Sequence, residues 1–133
     1  MAEAKVTWTG GTTFIGSDST KHAVILSSPK EGIGMKPSEL LLVALASCSS
    51  YDVVTILQKR KTKLEKLEVK VQAEQEKDPP WAFHTIHLHY ILAGEGLDAK
   101  QVEKAIELSE GKYCSVAATV KGRAEITWEY TIE

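Results

Sequence analysis

The chain has 133 residues, 43% of them hydrophobic and 26% charged, with a formal net charge of −2. That length corresponds to one domain, expected over residues 1–133, which can bury a core without disulfide staples, and the side-chain balance excludes a disordered chain. A slightly acidic protein is poorly matched to nucleic acid or an anionic membrane surface, so neither is expected as a partner.

The N-terminal stretch MAEAKVTWTGG has no apolar run after its first Lys. No secretory leader is expected, and the expected compartment is the cytoplasm. Two cysteines in that setting are either inert core residues or a redox pair, not a disulfide scaffold. Residues 4–27 predict a meander of short strands. Val6 and Trp8 alternate with Thr7 and Thr9, Gly10-Gly11 supplies a turn, and Phe14–Ile15 leads to Gly16. After the polar SDSTK turn, Ala23–Leu26 reads as a further strand. Ser28–Lys36, with Pro29, Gly32 and Gly34, predicts a loop.

After Pro37, as far as about Lys61, there is neither Gly nor Pro. Pro37 suits the first turn of a helix, and Glu39 suits the positive end of its dipole. Leu40, Leu41, Leu42, Val43, Leu45, Val53, Val54, Ile56 and Leu57 point around nearly the whole circumference. Such a helix must be covered on all sides, which a chain this short scarcely manages, so a partner subunit is expected over part of it. The uncharged run Leu40–Tyr51 has 12 residues, short of the roughly 18 a membrane span needs, and predicts a buried helix. Lys59, Arg60 and Lys61 read as a solvated helix end.

Three later segments alternate with period two: Leu67, Val69, Val71 and Ala73; Ile86, Leu88, Tyr90 and Leu92; Ala124, Ile126, Trp128, Tyr130 and Ile132. Each predicts a half-buried strand of an antiparallel sheet, and Asp78-Pro79-Pro80 the turn between the first two. Before the third lies a second helix. Asp98 caps it with Gln101 three residues on, Val102, Ala105 and Ile106 form its stripe, and Gly111 ends it. Cys114 then opens a short helical stretch, Ser115–Lys121.

Cys48 lies near the middle of the long helix, with Ala44, Leu45, Tyr51 and Asp52 one turn away. Burial and a neighbouring carboxylate both raise a thiol pKa, so a reactive Cys48 needs a cation from elsewhere. Read alone, a mid-helix cysteine is a small core hydrophobe. Cys114 starts a helical turn whose unpaired N–H groups favour a thiolate. By local electrostatics Cys114 is therefore the better nucleophile, the alternative being a packed cysteine behind Tyr113.

The run Pro37-Ser38-Glu39-Leu40-Leu41-Leu42-Val43-Ala44-Leu45-Ala46-Ser47-Cys48, followed 66 positions later by Tyr113-Cys114-Ser115-Val116, resembles the OsmC/Ohr family of osmotically inducible and organic hydroperoxide resistance proteins, and its OsmC-like branch in particular. The order of elements agrees along essentially the whole chain. The resemblance implies an α+β fold, antiparallel sheets packed around two main helices, assembled as an intertwined homodimer that buries the long helices. It also implies a thiol-dependent peroxidase. Cys48 attacks an organic hydroperoxide and becomes a sulfenic acid, Cys114 condenses with it to a disulfide, and a dithiol reductant (lipoyl groups or a small thiol) restores both. On this reading no cofactor and no metal are expected, and Cys48 takes the attacking role against the local electrostatic ranking.

Two features depart from the family pattern. Family peroxidases activate the thiolate with a Glu ten residues before the first Cys and an Arg on an N-terminal hairpin. Here the Glu position is Ser38, and Glu39 would face about 180° away from Cys48 and lie roughly 13 Å along the helix. No Arg precedes Arg60, so the candidate activating groups are Lys21 and His22 on the hairpin, the loop residue Lys36, and Ser38, Glu39 and Asp52. Lys brings charge without the planar fork that pairs a carboxylate and a thiolate together. The alternative function is a non-catalytic small-ligand-binding protein with a degenerate peroxidase site, and a third is a structural dimer whose cysteines only pack.

The remaining constellations are bland. His87 and His89 share a strand face near His84, without an Asp or Cys close in sequence to complete a metal set, and read as an outward polar row. Trp8 and Trp81 could line a pocket, whereas Trp128 falls on an apolar face and is expected in the core. Ser47, Ser49 and Ser50 read as helix-packing residues. No phosphate-binding glycine loop or nucleophile elbow is present.

Overall fold

Alternation along the first 27 residues yields three strands, β1 (Ala4–Gly10), β2 (Thr13–Asp18) and β3 (Ala23–Ser27), in the computed structural model, which describes residues Met1–Glu133. The chain groups into two units, Met1–Val43 and Ala44–Glu133, with the boundary inside helix α1 (Pro37–Lys59).

In the first unit the sheet is antiparallel in the order β1-β2-β3. Gly10 and Gly11 turn the first hairpin at φ 115° and 53°, values that suit glycine, and Trp8 Nε1 donates to Gly11 O at 2.9 Å across it. The predicted 28–36 loop is tied down. Ser27 N–H donates to Met35 O at 3.1 Å, and the buried Ser27 hydroxyl accepts the Gly34 N–H at 2.9 Å. The start of α1 follows, with Lys36 and Glu39 paired at 3.2 Å.

In the second unit the i, i+4 row Leu45, Ser49, Val53 and Leu57 of α1 is buried. Other apolar positions of the helix, Leu41, Val43 and Tyr51, are exposed in the single chain, as a helix apolar on all sides requires when one chain covers only one face. At 23 residues, with mean hydropathy 1.9 over its most apolar window, α1 is also long and apolar enough to cross a membrane, which the 12-residue uncharged run did not suggest. A core helix of a soluble protein passes the same test, and in the single chain 22% of that window is buried, along the row just named.

Strands β4 (Lys63–Gln75), β5 (Phe83–Glu95) and β6 (Glu125–Ile132) form the second sheet in that order. β4 and β5 are antiparallel, with Val71 opposite Leu88, but β6 runs parallel to β5, with Leu88 beside Trp128. The expectation of antiparallel sheets therefore holds for the first sheet and fails for the second, which is mixed. The cause is the connection. Between β5 and β6 the chain passes through α2 (Ala99–Leu108), a π-helical segment (Ser109–Tyr113) and α3 (Ser115–Val120), a crossover long enough to return it in the same direction.

Central strand β5 buries Ile86, Leu88, Tyr90 and Leu92 on one face and turns His87 and His89 to the other. Trp128, expected in the core, is half-buried and stacks on Tyr130 with ring centroids 6.4 Å apart. α2 begins as predicted, Asp98 Oδ1 accepting the Gln101 N–H at 2.8 Å, and buries Val102, Ala105 and Ile106. Gly111, expected to end that helix, instead lies inside the π turn.

Candidate active site

Cys48 reaches the site from α1, one residue before the buried Ser49. Cys114 reaches it from the end of the π turn. Its extended backbone (φ −76°, ψ 106°) makes it the N-cap of α3, and its sulfur accepts the Ala117 N–H at 3.3 Å. The first turn of α3 does more than cap itself. The Cys48 sulfur lies near enough to the Cys114 thiol, the Ser115 hydroxyl and the backbone N–H groups of Ser115 and Val116 for these neutral donors to favour its thiolate. Two free thiols 66 residues apart in sequence are thus close enough for each to shift the other's titration.

This geometry reverses the electrostatic ranking read from the sequence. Burial is the largest single influence on Cys48 and pushes its thiol up, but the Val116 N–H, the Cys114 thiol and the two Ser115 donors together hold it below the ordinary thiol value of 9.0. Cys114 is buried, and burial pushes its thiol up to about 11, the Ala117 N–H opposing and the neighbouring Cys48 adding to the rise. The unpaired N–H groups expected to favour Cys114 serve Cys48 as well, while Cys114 pays the desolvation. The groups that lower Cys48 are neutral donors rather than a cation.

Asp52, one turn after Cys48, accepts the Ser109 hydroxyl at 2.8 Å. Ser109 Oγ also lies 3.1 Å from Ser49 Oγ, which is 2.5 Å from Tyr90 Oη. Tyr90, Ser49 and Ser109 are almost completely buried, so these bonds are what make their polar atoms tolerable there. Burial, with a hydrogen bond from Ser49 opposing and the charges of Cys114, Glu110 and Asp52 adding, pushes the Tyr90 phenol up to about 12.

A groove of about 540 Å³ is lined by Tyr51, Asp52, Ile56, Arg60, Leu108 and Tyr113 among others, with neither cysteine in its wall. Tyr51 and Asp52 follow Cys48 by one turn, and Tyr113 directly precedes Cys114.

The other candidate activating residues belong to the first unit. Lys21 occupies the turn after β2 at φ 67°, its N–H donating to Asp18 O at 3.0 Å, and His22 Nδ1 lies 2.8 Å from Thr20 Oγ1. Ser38 is half-buried in the first turn of α1, and Glu39 is held by Lys36. On the outward sheet face, His87 sits 2.6 Å from Thr127 Oγ1 and 2.5 Å from Glu129 Oε2, while His89 lies 2.9 Å from Thr131 Oγ1. No three His, Cys, Asp or Glu side chains converge there or elsewhere as metal ligands would. Sequence reasoning missed Ser109, Ser115 and Val116 as site residues. The last two carried a signal, since they open the helix after Cys114. Ser109 carried none, because the helix was expected to end at Gly111.

Residues 29–129 match the family model for OsmC-like protein. Protein YhfA of Escherichia coli K12 is 35% identical over 130 residues, spanning 98% of this chain and 97% of its own. A crystal structure of a hypothetical protein from Aquifex aeolicus VF5 superposes with a TM-score of 0.87 at 30% identity, covering 100% of this chain and 98% of that one. The organic hydroperoxide resistance protein OhrB of Bacillus subtilis shares the fold at a TM-score of 0.66 and 15% identity, over 98% of both chains.

Proposed function

The chain belongs to the OsmC-like protein family, and from that premise we propose that it is a thiol-dependent peroxidase acting on organic hydroperoxides. The observation that carries the reading is that the Cys114 turn is tied through Ser109 to the helix bearing Cys48, bringing together a partly exposed thiol held below the ordinary value and a buried one held above it. The Cys48 thiolate attacks the terminal peroxide oxygen. An S–O bond forms, the O–O bond breaks, and the alkoxide leaves to take up a proton as the alcohol. Cys114 then attacks the Cys48 sulfenic sulfur. The S–S bond forms, the S–O bond breaks, and hydroxide departs with the Cys114 proton as water. A dithiol reductant supplies two electrons and two protons and returns both thiols.

Several features support each part. The neutral donors of Ser115 and Val116 stand in for the Glu–Arg activation that Ser38 and the Arg-free N-terminal hairpin do not provide. A buried, protonated Cys114 remains a resolving thiol until the sulfenic acid forms. The groove beside Tyr51, Ile56, Leu108 and Tyr113 suits an organic body in preference to hydrogen peroxide.

The proposed assembly is a homodimer, in the cytoplasm. Val6, Trp8, Ile25, Val43 and Tyr51 are 64%, 67%, 50%, 47% and 72% exposed in the single chain, and a second copy is the occupant that family membership supports.

The test mixes the protein with an alkyl hydroperoxide and a dithiol. Turnover is expected, and its loss is expected in Cys48→Ser. Equal turnover in that variant would sink the reading. If stoichiometric peroxide leaves both thiols unaltered, a non-catalytic ligand-binding role takes its place.

A further inference from the structure

Resting on that two-thiol reading and deepening it, we infer that Ser109 is a positioning residue that holds Cys114 in bonding register with Cys48. The bonds of one buried residue carry this. Its carbonyl accepts the Cys114 N–H at 2.8 Å. Its hydroxyl donates to Asp52 Oδ2 at 2.8 Å and lies 3.1 Å from Ser49 Oγ. Ser49 and Asp52 stand one and four residues after Cys48 on α1. Its own N–H reaches back to Ala105 O and Ile106 O at the end of α2. Main chain ties Ser109 to one cysteine and side chain ties it to the helix bearing the other, with no water to compete, since the residue is 0% exposed.

The π turn makes this arrangement specific. In an α-helix the Ser109 carbonyl would accept from Tyr113, four residues on. Here it accepts from Cys114, five residues on, so one extra residue is accommodated before α3 begins. Ser109 has a single hydroxyl proton, and between a carboxylate and a neutral hydroxyl the carboxylate takes it. The Asp52 bond is therefore the charge-assisted, stronger one. Loosening it frees the Cys114 turn from α1 and lowers the effective concentration of one sulfur at the other, which governs disulfide formation.

The test equilibrates the full-length protein with defined ratios of reduced and oxidised dithiothreitol, which exchanges two electrons and two protons with the Cys48–Cys114 pair. No hydroperoxide is involved, so absent peroxidase activity leaves the measurement intact. Ser109→Ala is expected to lower the disulfide equilibrium constant by about 10-fold or more, and to move Cys48 alkylation to higher pH. Tyr90→Phe removes a buried hydroxyl from the same cluster but none of the Ser109 bonds, and is expected to keep both readouts within about 2-fold. Unchanged readouts in Ser109→Ala overturn the inference, as do equal shifts in Tyr90→Phe, which would mean general loosening. Should Ser109→Ala fail to fold, Asp52→Asn keeps the shape and exchanges the charge-assisted bond for a neutral one. Its equilibrium constant is expected to fall about 3-fold, and no fall overturns the inference. A wild-type protein that forms no disulfide overturns the two-thiol reading and this inference together.

Discussion

Cys48 and Cys114 are both served by the first turn of one short helix: Ala117 donates its N–H to the Cys114 sulfur, and the N–H groups of Ser115 and Val116 favour the thiolate of Cys48. The shared donors separate the two thiols chemically, since Cys114 is the more deeply buried. Selective alkylation should follow. Between neutral pH and the ordinary thiol value of 9.0, iodoacetamide should label Cys48 well ahead of Cys114, read by peptide mass mapping. Faster labelling of Cys114 in that range would contradict the assignment.

The same shift bears on stability. Cys114 has its folded value raised to about 11, so the folded state prefers its neutral form. That contribution is complete below the unfolded thiol value of 9.0 and is lost as pH rises through about 11. Chemical denaturation between pH 8 and pH 11 should show wild type losing stability relative to Cys114→Ala, and parallel curves would contradict the shift.

Removing the resolving thiol should trap the first intermediate. Cys114→Ser is expected to consume about one equivalent of alkyl hydroperoxide. A sulfenic acid should then persist at Cys48, detectable as a dimedone adduct by mass spectrometry. Sustained turnover in this variant would remove Cys114 from the cycle.

Both the hydroxyl and the backbone N–H of Ser115 help hold the Cys48 thiol down. Ser115→Ala deletes the first and keeps the second. The Cys48 thiol should rise, and its alkylation rate at pH 7 should fall about 3- to 10-fold, the worth of one ordinary hydrogen bond at an exposed position. Because Ser115 is exposed, the melting temperature should hardly change.

Leu92 is fully buried on the central strand β5. Leu92→Ala is expected to cost about 2–5 kcal/mol in denaturant titrations, from lost transfer energy plus a cavity. Separately, a charge placed on the exposed apolar surface, as in Trp8→Glu or Val43→Glu, should shift sedimentation toward a monomer. An unshifted boundary would argue that no second copy covers that surface.

Periodicity alone determined where the strands and helices lie. The alternation in β4, β5 and β6, the caps Pro37 and Asp98, and the Gly10-Gly11 turn are local properties of neighbouring side chains. The paired cysteine segments likewise announced the family. Direction and contact were decided elsewhere. The parallel pairing of β6 follows from the crossover before it, and the π turn follows from the Cys114 N–H finding Ser109 O five residues back. Which thiol is depressed depended on how one helix end divides its N–H groups between sulfurs 66 residues apart and on which sulfur lies deeper. Hydrogen bonding and desolvation at that range are set by packing, which spacing along a chain does not encode.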